Sequence, residues 1–277
     1  MGDKLEIIKS IEELQMMYKD SISSKYFRAL VYGDSGTGKT YLSRTCRRPV
    51  LVHSFDSGGT KTVRDCIEEG WMVVDNRYET EDPKNPTAWV LWEKEYFKAK
   101  KSGLFEIFGT LVIDSATTMN QAIMNAVMKK GGHAGGIPVT GEKGKDNDYV
   151  LQMTWLENAI KDLFSLPCDV IFTAHPDITT DEQKKMFIGP LLTGQSKIRI
   201  PLMFDEMYSA QSSKTSTGIK YALLTQNSGM FRAKSRFSNK GQFKEYEEPD
   251  IKKLLKKAGY SIEDKPIPWL VGKEVNI

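Results

Sequence analysis

The sequence is poor in the features that mark exported, disulfide-stabilised or membrane-spanning proteins. Its three cysteines, Cys46, Cys66 and Cys168, are too widely spaced for a disulfide framework or a Cys-x-x-Cys metal site. No apolar run approaches the ~20 residues that cross a bilayer, and the first residues lack the pattern of an export signal. We therefore expect a cytoplasmic protein that does not enter a membrane.

The chain also lacks a strong excess of either charge. It has 39 Lys and Arg residues against 36 Asp and Glu residues, a formal net charge of +3. This small charge gives no global argument for nucleic-acid binding, so any such surface must come from local clusters. Hydrophobic residues make up 40% of the 277 positions, which is typical of a globular protein with one large domain or two small ones.

Apolar runs alternate with helix-like segments along most of the chain. Strands are predicted at residues 29–33, 49–56, 71–76, 110–115 and 169–175, and helices at residues 11–19, 87–101, 117–130 and 149–165. The first helix is expected to begin with a capping box formed by Ser10 and Glu13. Because the strands are continuously apolar, we predict an α/β fold with a mostly parallel central sheet and helices on both faces.

After residue 186 the pattern changes to short, closely spaced strands. They are predicted at residues 197–200, 206–210, 221–226 and 230–234, as an antiparallel C-terminal extension of the same sheet. We expect an N-terminal segment at residues 1–24, a main domain at 25–250, and a C-terminal helix and tail at 251–277. A solvated face is the default interpretation of four lysines on that last helix, and nucleic-acid contact is the alternative: Lys252, Lys253, Lys256 and Lys257.

A phosphate-binding motif follows the first predicted strand. The pattern G-x-x-x-x-G-K-[ST] is matched by Gly33, Asp34, Ser35, Gly36, Thr37, Gly38, Lys39 and Thr40, with Tyr41 next in the chain. Glycines let backbone N–H groups surround phosphate oxygens, and the start of the following helix adds partial positive charge. Lys39 is expected to reach the β- and γ-phosphates, and the Thr40 hydroxyl to coordinate Mg²⁺. The flanking strand and helix disfavour the alternative, a glycine-rich turn without a ligand.

Three further candidate residues end the neighbouring predicted strands. Asp114 closes TLVID and is the candidate partner of the magnesium ion, although an aspartate there can also cap a helix. Asp56 ends the second predicted strand and is the candidate base for the attacking water, with a plain strand-ending turn as the alternative. His175 closes VIFTAH and is either a γ-phosphate sensor or an ordinary histidine at the sheet edge.

Taken in order, these motifs resemble the core of RecA-type ATPases. The segments that carry the resemblance are the P-loop, FDSGG, TLVIDS, the glycine-rich loop after the next helix, VIFTAH, and FRAKSRF at residues 231–237. More narrowly, residues 25–250 are similar to the short phage-encoded, core-only RecA-like ATPases of the single-strand annealing recombinase group. The P-loop is the specific motif, whereas the other segments are persuasive through their order.

The resemblance implies roles for residues outside the P-loop. RecA-like proteins form homo-oligomers, rings or filaments, and Arg236 with Lys234 resembles the finger that reaches the neighbouring subunit's nucleotide. The alternative for these two cations is the solvated face of an exposed strand. Asp56 stands where the family usually has a glutamate, which puts fast hydrolysis in doubt, and His175 stands where it often has a glutamine.

The resemblance also implies single-stranded DNA as a partner, contacted through the loops at residues 129–148 and 176–196. The first loop contains six glycines and four lysines and is expected to be mobile. Lysines in both loops are suited to phosphates, but acidic neighbours leave a solvated, mixed-charge loop as the alternative: Lys129, Lys130, Lys143, Lys145, Lys184, Lys185 and Lys197 against Glu142, Asp146, Asp148, Asp181 and Glu182.

Three functions remain open from the sequence. The first is a Mg-ATP-dependent, DNA-stimulated ATPase that binds single-stranded DNA and promotes annealing or strand exchange in phage recombination, with a single-strand binding protein as a candidate partner. The second is a replication motor or helicase-loader ATPase that uses the same site. The third is a slow nucleotide-gated switch, which the missing glutamate favours. ATP rather than GTP rests on the resemblance, as does a location in the host cytoplasm.

Overall fold

The computed structural model describes residues 2–141, 147–180, 183–238 and 241–270, with side chains from residue 6 onward. Its strands are β1 (Arg28–Tyr32), β2 (Val50–Ser54), β3 (Met72–Asp75), β4 (Thr110–Asp114), β5 (Asp169–Ala174), β6 (Pro176–Thr180), β7 (Met186–Pro190), β8 (Glu206–Thr215), β9 (Gly218–Leu224), β10 (Lys234–Ser235) and β11 (Tyr246–Glu247). Its helices are α1 (Gly2–Asp20), α2 (Ile22–Lys25), α3 (Arg64–Glu68), α4 (Ala88–Lys101), α5 (Leu104–Ile107), α6 (Ala116–Lys130), α7 (Asp148–Leu163), α8 (Ser196–Met203) and α9 (Ile251–Ala258). Two 3₁₀ turns lie at Tyr41–Thr45 and Gly59–Val63.

A mostly parallel sheet forms the centre of the described structure. Its strand order is β11-β9-β8-β1-β5-β4-β2-β3, with β10 beside β8. The six strands from β8 to β3 are parallel, whereas β9, β10 and β11 pair antiparallel at the other side. Every residue of β1, β2, β4 and β5 is buried, as expected for strands covered on both faces. The predicted α/β architecture, a mostly parallel central sheet with an antiparallel C-terminal extension, is confirmed.

Helices bury apolar stripes against both faces of this sheet. On α4 the rings of Trp89, Trp92 and Tyr96 follow helical spacing and stack with centroids 5.0 and 4.9 Å apart. On the opposite face, α9 buries Ile251 and Leu255 against the side chains of β1 and its neighbours. Within the described chain, we find no helix with the length and apolar character needed to cross a membrane.

The structure corrects the predicted elements after residue 186. The predicted strand at residues 197–200 lies in helix α8, where Ser196 and Ile200 are buried one turn apart and Arg199 pairs with Glu157 at 2.8 Å. Four residues that alternate in polarity fit either element, so the sequence did not decide between them. Strand β8 is parallel to β1, the predicted strand at 230–234 shrinks to β10, and the hairpin β6–β7 was not predicted.

The N-terminal helix is longer than predicted and starts elsewhere. Helix α1 begins at Gly2, so Ser10 lies inside it and donates its hydroxyl to the Glu6 carbonyl at 3.0 Å. The capping box of Ser10 and Glu13 is therefore wrong. Apolar side chains of α1, among them Ile7 and Leu14, are exposed.

Candidate functional site

The P-loop, Gly33–Thr40, leaves the sheet at the C-terminal end of β1. Gly36 and Gly38 have φ angles of +78° and +83°, a left-handed conformation that glycine adopts without strain. At Gly33 the constraint is space, because a Cβ atom would lie 2.4 Å from the backbone oxygen of Ala210. The glycines of the motif are therefore required by this backbone, and they keep side chains away from the N–H groups that would surround a phosphate.

The helix expected after the P-loop is only a 3₁₀ turn, Tyr41–Thr45. Eight residues separate Thr40 from Pro49, which begins the path into β2. Proline lacks a backbone N–H and restricts the residue before it, Arg48, to extended conformations, so an α-helix cannot continue there. Anion binding at this loop therefore relies on the loop amides and on Lys39 more than on a helix dipole.

Lys39 folds back over the loop. Its ammonium donates to the backbone oxygens of Gly33 at 2.7 Å and Asp34 at 2.8 Å. Burial lowers the pKa of Lys39, and the carboxylates of Asp114 and Asp56 oppose that shift. A cation held only by neutral carbonyls near two carboxylates is positioned to move toward a phosphate anion.

Asp114 joins the P-loop to the central strands. Its Oδ2 accepts the Thr40 hydroxyl at 2.7 Å, and its Oδ1 accepts the hydroxyl of buried Thr173 on β5. Burial raises the pKa of Asp114, while the hydrogen bonds from Thr173 and Thr40 oppose the rise. The structure therefore brings the two predicted magnesium partners, Thr40 and Asp114, into direct contact.

These residues fit a magnesium ion bound together with a nucleotide. Mg²⁺ prefers hard oxygen donors and is usually held by one or two carboxylates plus phosphates and water. A Cβ atom at Gly59 would lie 3.4 Å from Asp114 Oδ2 and 3.6 Å from the Thr40 hydroxyl, so the glycine keeps the space beside both donors open. Bound Mg²⁺ supplies charge neutralisation at the β- and γ-phosphates. Described residues include no cluster of three or more His, Cys, Asp or Glu side chains suited to a separate metal.

Asp56 and His175 meet at the same edge of the sheet. The Asp56 Oδ1 accepts the hydroxyls of Ser115 at 3.0 Å and Thr118 at 2.5 Å, and its Oδ2 lies 3.0 Å from His175 Nε2. The backbone N–H of Asp56 donates to the Asp114 carbonyl at 3.1 Å. The candidate base and the candidate sensor are therefore hydrogen-bonded to each other, which the sequence did not predict.

Two further residues hold the surrounding loops, and sequence reasoning missed both. Thr117 accepts from the His175 backbone N–H at 3.0 Å and donates to the Leu191 carbonyl at 3.0 Å, so it holds both ends of the hairpin segment. Glu79 accepts the Ser54 hydroxyl at 2.7 Å and the Gly58 N–H at 3.4 Å, on either side of Asp56. Asp56 and Asp114 could be predicted because each ends a predicted apolar strand. Thr117 and Glu79 have no such position in the sequence pattern.

Lys234 and Arg236 are not brought to the P-loop of their own chain. Strand β10 lies against the start of β8 around Glu206, which is level with the second residue of β1. That residue is Ala29, and Gly33 lies four positions after it, about 13 Å farther along the strand direction. The P-loop therefore begins at the opposite end of the strands from β10. Arg236 is exposed and pairs with Asp205 at 3.2 Å. Any contact of these cations with a nucleotide therefore has to involve another subunit.

The predicted DNA loops are described in part. Residues 142–146, with Lys143 and Lys145, and residues 181–182 lie outside the described chain. Lys129 donates to the Asn85 side chain at 2.8 Å, and Lys197 pairs with Asp177 at 2.6 Å, so these two lysines have partners within the chain. The hairpin β6–β7 fills most of the second loop.

Ion pairs also occupy most of the basic face of α9. Lys252 pairs with an aspartate at 2.8 Å, and Lys253 and Lys257 pair with glutamates at 2.7 and 2.6 Å. The solvated-face interpretation of this helix fits these contacts better than the nucleic-acid alternative.

The family comparison includes the P-loop residues in its match. Residues 25–237 match the model of an AAA domain family, AAA_24. A search of curated protein sequences gives no match. Similar crystal structures include a KaiC-like protein from Pyrococcus horikoshii OT3, 12% identical over 72% of this chain and 78% of that chain, with a TM-score of 0.37. They also include the flagellar accessory protein FlaH from Methanocaldococcus jannaschii, 12% identical over 74% of this chain and 81% of that chain, with a TM-score of 0.37. Because the family model covers about three quarters of the 277 residues, the chain belongs to this AAA domain family and is a P-loop ATPase.

Proposed function

We propose that the protein is an oligomeric Mg-ATP-dependent hydrolase that binds single-stranded DNA and promotes annealing or strand exchange. The observation that supports it best is the convergence of Lys39, Thr40, Asp114, Asp56 and His175 at one edge of the sheet. The hairpin β6–β7 begins at the residue after His175, so the nucleotide site and the proposed DNA-binding segment are continuous in the chain.

Each residue of the site then has one task. Lys39 leaves the two loop carbonyls for the β- and γ-phosphates, and Thr40 and Asp114 hold the metal. Asp56 orients or deprotonates the attacking water. His175 links Asp56 to the hairpin, so a movement of the hairpin alters the contacts of the base.

The hairpin and Arg232, whose N–H donates to the Ile188 carbonyl at 3.0 Å, together present cations and an aromatic ring to a nucleic acid. The Phe187 ring lies 4.0 Å from the Arg232 guanidinium carbon and 5.3 Å from the Lys185 ammonium nitrogen. Cations beside an aromatic ring suit a phosphate backbone with stacked bases and give little sequence preference. This proposal therefore predicts strongly salt-dependent and sequence-tolerant binding.

A slow nucleotide-gated switch is the second candidate, because Asp56 is already engaged by three donors. Two hydroxyls and one imidazole occupy the carboxylate oxygens that would have to bind the attacking water. A base in this arrangement needs a rearrangement before it can act. The switch therefore differs from the recombination ATPase in its turnover, not in its nucleotide site.

The first experiment measures ATP hydrolysis with and without single-stranded DNA, for the wild type and for Lys39→Ala. Strong stimulation that Lys39→Ala abolishes supports the proposal, and annealing and unwinding assays then separate recombination from a replication motor. Slow turnover that DNA does not change supports the switch instead. Failure of the wild type to bind Mg-ATP in calorimetry would refute both.

The second experiment tests Arg236 as a finger between subunits. Lys39→Ala and Arg236→Ala are each expected to be inactive, but an equimolar mixture should regain activity at the interfaces that combine an intact Lys39 with an intact Arg236. Random mixing makes these about a quarter of all interfaces. Arg64→Ala, which removes an exposed arginine paired within one helix, is the matched control. A mixture as inactive as its components would contradict the role.

A further inference from the structure

A second cavity lies beside the edge strand β3, and none of the P-loop residues lines it. Its volume is about 570 Å³, which lies within the range of small-molecule sites. Four apolar side chains form much of its wall: Leu51, Val73, Ala99 and Leu104. The site described above does not use this cavity.

A buried histidine lines the cavity and has one nitrogen without a partner. His53 is 5% exposed, and its Nδ1 accepts the indole N–H of Trp92 at 3.0 Å. Burial lowers the pKa of His53 to about 4, so the ring is neutral at pH 7 and carries its proton on Nε2. Among the described residues, Nε2 has no hydrogen-bond partner. Because His53 lines the cavity, this N–H is available to a ligand that accepts a hydrogen bond.

The two carboxylates that line the cavity, Asp75 and Glu95, are both engaged by Arg77. The Asp75 carboxylate accepts from the Arg77 guanidinium at 2.6 Å and from the Tyr78 hydroxyl at 2.5 Å. Glu95 also pairs with Arg77 at 3.3 Å. Lys98 is exposed at the rim and forms no ion pair with any described residue. A complementary ligand therefore has an apolar body and an anionic acceptor.

We propose that this cavity is an accessory binding site for a small organic carboxylate. The carboxylate accepts from His53 Nε2 and is attracted by the Lys98 ammonium, and the apolar part of the ligand packs on Val73, Ala99 and their neighbours. Three edge-on aromatic neighbours, at centroid distances of 5.9 to 6.3 Å, hold the His53 ring in place: Tyr78, Trp92 and Phe105. The donor is therefore fixed before the ligand arrives, which reduces the entropy lost on binding.

The cavity is connected to the loop that carries the candidate base. Tyr78 lines the cavity and stacks on Phe55 with centroids 5.3 Å apart. The next residue, Glu79, holds Ser54 and Gly58 on either side of Asp56. A ligand that moves Tyr78 would shift this loop, so its second expected effect is a change in the ATP hydrolysis rate.

The test uses naphthalene-1-acetate as the probe and its uncharged amide for comparison. The chain has only three histidines, so the imidazole nitrogen signals can be assigned by long-range proton–nitrogen NMR. We expect saturable one-to-one binding that shifts the His53 Nε2 signal, with at least tenfold weaker binding of the amide. Absence of saturable binding up to about 10 mM, or binding that leaves this signal unchanged, would overturn the proposal.

Two variants test whether the probe binds in this cavity. Ala99→Trp fills the cavity and should abolish binding, whereas Val90→Trp, on the exposed side of the same helix, should bind as the wild type does. Circular dichroism checks the fold of both. Binding that survives Ala99→Trp would refute the site. Loss of self-association in that variant, measured by sedimentation, would identify the cavity as an interface between copies and would also overturn the proposal.

Discussion

The strongest quantitative prediction concerns the pH dependence of stability at His53. In the folded protein burial lowers its pKa from 6.5 to about 4, so the imidazole stays neutral while the unfolded chain takes up a proton. Stability is therefore fully present above pH 6.5 and is lost as the pH falls toward 4. The difference of about 2.5 pKa units corresponds to about 3 kcal/mol, with a slope of about 1.4 kcal/mol per pH unit.

The variant that isolates this effect is His53→Asn. The asparagine oxygen replaces Nδ1 as the acceptor for the Trp92 indole, but the side chain does not titrate. Urea unfolding followed by tryptophan fluorescence, between pH 7.5 and 4.5, gives the free energy of unfolding of both proteins. The wild type should lose about 2 to 3 kcal/mol more than the variant over that range. Parallel curves for the two proteins would show that His53 is not a buried neutral histidine.

Three further changes test the site and the core. Thr118→Val removes a hydroxyl from Asp56 and should lower kcat about tenfold with nearly unchanged ATP affinity in calorimetry, whereas a loss of binding would contradict a positioning role. Gly33→Ala should weaken ATP binding at least tenfold, because the new Cβ would meet a carbonyl 2.4 Å away, and wild-type affinity would refute the required close approach. Arg28 donates to four backbone carbonyls, so Arg28→Met should cost about 3 kcal/mol in urea unfolding, and a cost below about 1 kcal/mol would contradict this role.

The sequence was sufficient for the parallel core and for the P-loop. The inner strands are continuously apolar, and the helices between them have clear helical spacing, so pattern and tertiary environment agree. The P-loop was also predictable, because its glycines are dictated by backbone geometry within eight residues. Asp114 and Asp56 could be found because the carboxyl ends of parallel strands meet at one edge of a sheet.

The hydrogen-bond network around these acids was not predictable. Thr173 lies within an apolar strand, where a threonine is an ordinary β-former, and its partner Asp114 is 59 positions away. Ser115 and Thr118 look like the capping residues of α6, and Ser115 does cap that helix. Their additional contacts with Asp56 depend on the order of strands in the sheet, which local patterns do not contain.

The contact between Asp56 and His175 leads to a last prediction. It distinguishes a histidine that only senses the γ-phosphate from one that couples the hairpin to Asp56. If His175 only senses the γ-phosphate, its removal lowers hydrolysis under all conditions. In the structure, however, its Nε2 occupies one oxygen of the candidate base, and its backbone N–H is held by Thr117 at the root of the hairpin.

We therefore expect His175→Ala to uncouple hydrolysis from the hairpin. Freed from the imidazole, Asp56 keeps its two hydroxyl donors, so basal ATP hydrolysis should persist while the ratio of DNA-stimulated to basal rate falls to about one. Thr117→Val, which leaves the imidazole in place but releases the hairpin root, should reduce the same ratio without affecting ATP affinity. Within the described residues, the His175 imidazole is the side-chain link that we find between the hairpin and the Asp56 carboxylate. Full stimulation by DNA in His175→Ala would therefore show that the hairpin acts on the site by another path.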